Sequence, residues 1–252
     1  MQYLLSRACR PILKSLAEER TLCAFDFDGT LSPIVEHPSR AGMREKTRIL
    51  LSCLAAQHPC VIVSGRARAD LLGKLGSVKV TRVIGNHGAE TEATGQTPRR
   101  RAPQWKRSLA LEVATLPGVW LEDKGLSLTL HYRQSPQKAE ARRRILAATR
   151  DLKQVRVFGG KQVVNVVPDK APNKGVALAV ERDRLGCNWV LYVGDDENDE
   201  DAFALDGNIV PVRIGRKPRS RARYYLRTQA EIDKLLELLV LLGEPVKPSC
   251  GK

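Results

Sequence analysis

The chain has few aromatic residues, no Cys-x-x-Cys pair and no long apolar run. Each absence removes a class of answer. Aromatics make up 5% of the 252 residues, and no recognition motif for a nucleic-acid groove or single strand is visible. Stacking platforms for bases are therefore scarce. The six cysteines are Cys9, Cys23, Cys53, Cys60, Cys187 and Cys250, mostly in apolar stretches. That distribution argues for small buried thiols and against a disulfide framework or a zinc site. No apolar stretch approaches the roughly 20 residues of a membrane helix. Residues 1–20 alternate apolar and charged residues at helical spacing, without the unbroken apolar centre of a signal peptide. They read as a lead-in helix, and the protein as cytoplasmic, monomeric and without a membrane partner.

What is present is charge and apolar mass. Hydrophobic residues reach 42%, enough for a packed core. The net charge is +14, from 42 basic and 28 acidic residues, concentrated in Arg99 to Arg101, Arg142 to Arg144 and the segment Arg213 to Arg227. Such an excess is compatible with nucleic acid. Without a recognition motif, a solvated basic face that helps attract an anionic substrate is the stronger reading.

The chain is organised around Leu22-Cys23-Ala24-Phe25-Asp26-Phe27-Asp28-Gly29-Thr30-Leu31. The apolar run reads as a short buried strand. Alternation along the strand puts Asp26 and Asp28 on one side and Phe27 on the other. Two carboxylates this close repel unless a cation lies between them. Gly29 allows a sharp turn after the second acid. The arrangement suits a hard divalent cation beside a nucleophilic carboxylate.

The rest of the first half supports that centre. Residues 32–38 read as a loop by their prolines, and His37 within it as an exposed residue. Residues 44–57 form a helix, with Ile49, Leu50 and Leu54 at apolar spacing. Cys60 to Val63 is a second buried strand that stops at Ser64-Gly65-Arg66, where a hydroxyl and free amides at a helix start suit a phosphate. Thr81 to Ile84 is a third strand, leading into Gly85-Asn86-His87-Gly88-Ala89-Glu90. There His87 lies in an irregular turn, where structural and functional roles are equally open.

The middle changes character. A basic connector at 95–103 leads to a helix at 104–116 carrying Trp105, Leu109 and Val113. Paired strands are expected at 119–123 and 126–132, a charged helix at 136–152, and a hairpin of 155–158 with 162–167 across Gly159-Gly160. We read residues 93–169 as an α/β cap inserted between residues 1–92 and 170–252, which form a doubly wound parallel-sheet core. Beyond the cap, Asn173-Lys174-Gly175 opens a helix, and a strand at 189–193 ends in an acidic run from Asp195 to Asp201. Acids at a strand end, in a chain so basic, point to the second half of a cation site.

These stretches, in this order, resemble the four motifs of the haloacid dehalogenase-like (HAD) phosphohydrolases. The fuller set resembles the trehalose-6-phosphate phosphatase family: Asp26 to Leu31 with a following proline, Gly85 to Glu90, Glu122-Asp123-Lys124, His131-Tyr132-Arg133, Gly160-Lys161, Asn173 to Gly175 and Gly194 to Phe203. The resemblance covers nearly the whole chain. It implies a magnesium-dependent phosphatase of trehalose 6-phosphate, working through an aspartyl-phosphate and functionally linked to a trehalose-phosphate synthase. Asp26 would be the nucleophile and Asp28 the acid and base. Ser64 and Lys174 would hold the phosphate. Asp26, Asp195 and the backbone carbonyl of Asp28 would hold the metal, with Asp196 and Asp199 completing the site by positioning metal-bound waters or Lys174. Ser64, Gly65, Arg66, His87, Lys124, His131, Arg133, Lys161 and Asn165 would contact substrate. One departure bears on the sugar: the family's usual glutamate and arginine in the last cap strand are Asn165 and Val167 here. A phosphatase of another sugar phosphate, of sucrose, glucosylglycerol or mannosylglycerate type, is the first alternative. A basic nucleic-acid-binding protein with an inactive fold is the second, and the intact acids and lysine speak against it.

Overall fold

The computed structural model describes residues 1–92 and 102–243. Most of the expected basic connector, with Arg99 to Arg101, lies outside the described residues, as does Cys250. Among the described residues, no helix is long and apolar enough to cross a membrane.

The central sheet has seven strands, all parallel, in the order β1-β11-β10-β9-β2-β3-β4. The strands are β1 Gln2–Tyr3, β2 Thr21–Phe25, β3 Cys60–Val63, β4 Arg82–Ile84, β9 Trp189–Gly194, β10 Ile209–Ile214 and β11 Tyr224–Leu226. Sides alternate along β2. Cys23 and Phe25 join one apolar layer, with α1 Arg10–Glu18, α2 Glu45–Gln57, α3 Arg68–Leu75 and α8 Ile232–Gly243. Leu22 and Ala24 join the other, with α6 Lys174–Leu185 and the short α7 Glu200–Phe203. A sheet covered on both faces explains why its strands read as unbroken apolar runs.

Three local expectations are corrected. The first twenty residues are not one helix. Gln2 and Tyr3 pair with Tyr224 and Tyr225 before α1 begins, so the start of the chain closes the sheet's edge. Ile49 does not face the core: it is 55% exposed, and Thr47, Leu51 and Leu54 make the buried face of α2. The second cap hairpin does not turn at its glycines. Gly160 pairs with Val163, and the turn is Lys161-Gln162, with Gln162 in the left-handed region at φ 63°.

A second, antiparallel sheet has the order β5-β6-β8-β7: β5 Trp120–Asp123, β6 Leu128–His131, β7 Val155–Gly160 and β8 Val163–Pro168. Its inner face, with Leu128, Leu130, Val164 and Val166, packs on Leu109 of α4 Ala102–Ala114 and on Ala141 and Ile145 of α5 Lys138–Thr149. The molecule is thus a doubly wound parallel sheet with helices on both faces, carrying a separate α/β unit. β2 lies between β9 and β3, where the winding reverses. Ligands in such sheets sit beyond the carboxyl ends of the strands at that point.

Candidate active site

The carboxyl ends of β2, β3 and β9 meet beneath the antiparallel sheet. The pocket between is lined by Asp26, Asp28, Ser64, Gly65, Arg66, His87, Lys124, His131, Arg133, Lys161, Asn165, Asp195 and Asp196. The remaining expected residues, Lys174 and Asp199, lie under its floor, both buried, with Lys174 hydrogen-bonded to Asp26 and Asp199 accepting from Lys174 and the Tyr192 hydroxyl.

Asp26 continues β2, its N–H donating to the Val193 carbonyl at 2.9 Å. Phe27 is fully buried on the opposite side. Gly29 then takes φ 79°, and a Cβ there would run into the Asp195 carboxylate. This glycine is demanded by space as well as by backbone conformation.

The two motif acids meet different surroundings. Arg66 grips the Asp28 carboxylate in a bidentate pair, Nε to Oδ2 at 2.6 Å and Nη2 to Oδ1 at 2.7 Å. The same guanidinium donates to Asp70 at 2.6 Å and to the Pro38 carbonyl at 2.8 Å. Arg66, expected to face substrate, is therefore engaged by the protein itself. Burial works against its charge, but Asp28 and Asp70 outweigh it and raise its pKa.

Asp26 instead meets Lys174, whose Nζ lies 3.0 Å from Asp26 Oδ1 and 2.7 Å from Asp199 Oδ1. Asn173 starts that helix by accepting from the Val176 N–H at 2.9 Å, and so fixes where Lys174 emerges. Burial disfavours the ammonium, but Asp199 and Asp26 keep it charged, raising its pKa. Asp199 also accepts from the Tyr192 hydroxyl at 2.6 Å and from the N–H groups of Asp195 and Asp196 at 2.8 and 2.9 Å. It folds the acidic loop around itself.

Asp26, Asp195 and Asp199 each offer a carboxylate oxygen within 4.8 Å of the others. Burial pushes the Asp26 carboxyl well above its usual range; Lys174 opposes this, and Asp199 and Asp195 add to it. Asp195 is pushed up to about 7 by burial, against the pull of Lys161 and with the repulsion of Asp199. Desolvation is the largest cause at both acids, so a cation placed among them would favour their charged forms. The Lys161 ammonium, from the cap hairpin tip, lies against Asp195 as a cation would. An all-oxygen, carboxylate-rich set suits a hard divalent ion. The Asp28 carboxylate is outside this group, taken by Arg66. Asp196 faces the cap and accepts from the Lys161 N–H at 3.2 Å.

The upper wall belongs to the cap. His131 bonds Glu122 at 2.8 Å, and the Lys124 ammonium lies 3.6 Å from Glu122. Burial pushes the Glu122 carboxyl up, yet the His131 bond and the Lys124 charge bring it down to about 2. Burial lowers the His131 pKa despite Glu122. Near neutral pH this is therefore an imidazole N–H donating to a carboxylate. Arg133 reaches the carbonyls of Val35 at 2.7 Å and Lys161 at 3.2 Å. Asn165 is buried and accepts from the Thr129 hydroxyl at 2.9 Å. His87 has φ 59° and is 5% exposed, its ring edge-on to Phe158 with the Asn165 side chain as a polar neighbour. Gly65 makes room for it, since a Cβ there would meet the imidazole.

Sequence reasoning missed Arg213. Within a segment read as solvated, it is 6% exposed. Its Nη2 donates to the Asp195 carbonyl at 2.7 Å and its Nη1 to that of Asp196 at 3.0 Å. One arginine among many carries no local signal; the only clue is its register opposite Gly194.

Comparison with known proteins agrees with this architecture. The chain is 28% identical to a probable trehalose-phosphate phosphatase of Oryza sativa, over 88% of this chain and 70% of that protein. It is 33% identical to the trehalose-phosphate phosphatase of Mycobacterium tuberculosis over 73% of this chain, spanning half the relative's length. The fold matches that of the C-terminal domain of Candida albicans trehalose-6-phosphate phosphatase, with TM-score 0.79, 24% identity, and 92% of this chain and 96% of the other covered. The model of the trehalose-phosphatase family matches residues 24–221. That match runs from near the carboxyl end of β2 to just before β11 and takes in every strand end around the pocket. The chain therefore belongs to the trehalose-phosphatase family, phosphoric monoester hydrolases of the HAD-like fold.

Proposed function

We propose that this chain hydrolyses trehalose 6-phosphate to trehalose and inorganic phosphate. The observation that carries the reading is the buried Asp26 carboxylate at the floor of a polar pocket, with Lys174 beside it and Asp28 held separately by Arg66. Asp26 attacks phosphorus and the bond to the sugar oxygen breaks, leaving an aspartyl-phosphate. Asp28, protonated on one oxygen as that oxygen turns from Arg66 toward the substrate, gives this proton to the departing sugar oxygen. It then takes a proton from the water that attacks the aspartyl-phosphate, which releases phosphate and restores Asp26. Acid–base work of this kind contributes roughly 10²–10⁴-fold. Lys174 and Ser64 hold the non-bridging oxygens as charge spreads over them. Asp26 and Asp195, with Asp199 behind them, would hold magnesium, which offsets repulsion between the attacking carboxylate and the phosphate dianion.

Glu122, Lys124, His131, Arg133, Lys161 and Asn165 receive the sugar. Asn165 favours a second reading, a phosphatase of another disaccharide or glycoside phosphate. Its Oδ1 is occupied by Thr129, so it offers an amide donor where the family's glutamate offers only acceptors.

Phosphate release with magnesium, over trehalose 6-phosphate and the sucrose, glucosylglycerol and mannosylglycerate phosphates, decides between them. The highest kcat/KM is expected for trehalose 6-phosphate. A higher value for another ester selects the second reading, and release from none removes both. A trehalose-phosphate synthase is the reaction that would supply the first substrate.

A further inference from the structure

The loop that follows the first motif lines the same pocket through residues 34–38, but none of their side chains takes part in the chemistry above. Its base is tied down: Ser32 Oγ accepts from the Gly42 N–H at 2.9 Å, and Lys74 donates to the carbonyls of Ser39 and Ala41 at 3.1 and 3.0 Å. Its apex is held from two directions.

From the cap, Arg133 donates to the Val35 carbonyl at 2.7 Å. The Trp120 indole lies parallel to the exposed His37 ring, with centroids 6.2 Å apart and 7° between planes. Trp120 stacks in turn on His131 at 3.9 Å and 2°. The 6.2 Å separation lies within the range of attractive aromatic pairs, and the 3.9 Å one is a closer face-to-face stack. From the core, the Pro38 carbonyl accepts from Arg66 Nη2, the nitrogen that also reaches Asp28 Oδ1. One short segment therefore joins the cap's rings to the arginine that orients Asp28. With Pro38 in place, the guanidinium is fixed by Asp28, Asp70 and a carbonyl; without it, the plane can tilt and carry Asp28 with it. A carboxylic acid must stand within about 3 Å of the oxygen it protonates, and a shift of about 1 Å costs as much as 10²-fold.

We propose that His37 and Trp120 are positioning residues for Asp28: their stack holds residues 35–38 against Arg66, so that an engaged cap aligns the proton for the leaving sugar. This rests on the acid–base role of Asp28 given above.

The test uses leaving groups. A sugar alkoxide needs a proton to depart, whereas p-nitrophenolate does not. His37→Ala, Trp120→Leu and the double variant are compared with wild type in single-turnover cleavage of trehalose 6-phosphate. The same proteins are then compared in the first, burst release of p-nitrophenolate from its phosphate ester. Each single variant should lose about 10-fold on the sugar ester and the double variant no more than either, while the p-nitrophenolate burst stays within about twofold. Trp120→Phe, which keeps a ring in the stack, should recover most of the rate. Equal losses on both esters, losses that multiply in the double variant, or a change in KM alone would overturn the proposal. Asp28→Asn separates the two levels. If it leaves the sugar ester's cleavage untouched, the acid–base reading fails and the proposal with it. If it behaves as expected and the loop variants do not, the positioning role alone is wrong.

Discussion

Asp26 and Asp28, two residues apart, differ in everything but chemistry: one is buried among acids and a lysine, the other is clasped by an arginine. Replacing Asp26 by Asn removes the nucleophile and should lower turnover by about four orders of magnitude or more. It also removes a buried charge that burial and neighbouring acids disfavour, so the melting temperature should hold or rise. Residual turnover near wild type in a steady-state assay would sink the assignment. The Asn165 amide is a subtler case. Losing one well-placed contact to a sugar hydroxyl costs about 1–3 kcal/mol. Asn165→Ala should lower kcat/KM for trehalose 6-phosphate by that amount while a small generic phosphoester is cleaved as before. Asn165→Glu should raise the ratio of the two constants. If Asn165→Ala lowers both equally, the residue supports the strand pair with Thr129 and does not read the sugar.

At the scale of elements, the decisive unit is the acidic loop after β9. Asp199 gathers its amides from inside, and Arg213 of β10 holds two of its carbonyls from behind. Cutting that support by Arg213→Met should cost about 1–3 kcal/mol of stability, since buried carbonyls lose their donors. It should also weaken divalent-ion binding, read by calorimetry or by the free Mn²⁺ signal, with Arg213→Lys between the two. Unchanged ion affinity would confine Arg213 to the fold. If the loop and Asp26 form a metal site, chelator should abolish phosphate release and magnesium restore it. Calcium should not, because it prefers more ligands and looser geometry. Full activity in excess chelator would mean that the three carboxylates hold no catalytic ion.

For the whole molecule, pH is the probe. Burial lowers the pKa of His58, His87 and His131, with Lys124 and Lys174 adding to the shift at His87. A folded pKa below the unfolded value favours the neutral ring. The stabilisation is thus complete above about pH 6.5 and is lost as pH falls through the folded value. The raised Asp26 and Asp195 act in the opposite sense, so the clean measurement is a difference. Relative to wild type, His87→Asn should gain up to about 1.4 kcal/mol for each pH unit below 6.5 in urea unfolding. A difference that does not change with pH would show that His87 titrates normally. Charge at this scale also has a simple form: Arg143 and Arg144 of the basic α5 cluster pair with Glu140 and Glu112, so part of the excess is neutralised locally.

The sequence by itself determined β2, β3, β4 and β9 and the polar residues at their ends, but read the segment holding β1 as helix and did not single out β10. Apolar runs, the Gly29 turn and the Asn173 cap are local signals, each carried within a few residues. Only the tertiary structure decided which groups meet. Arg66 turned to Asp28, 38 positions away, and Asp199 joined Asp26 and Asp195 in one carboxylate group. Arg213 went inside the sheet, and His37, read as merely exposed, met Trp120 of the cap. These partnerships depend on where separate strands end and on the direction each side chain takes there. Neither quantity leaves a trace in local periodicity.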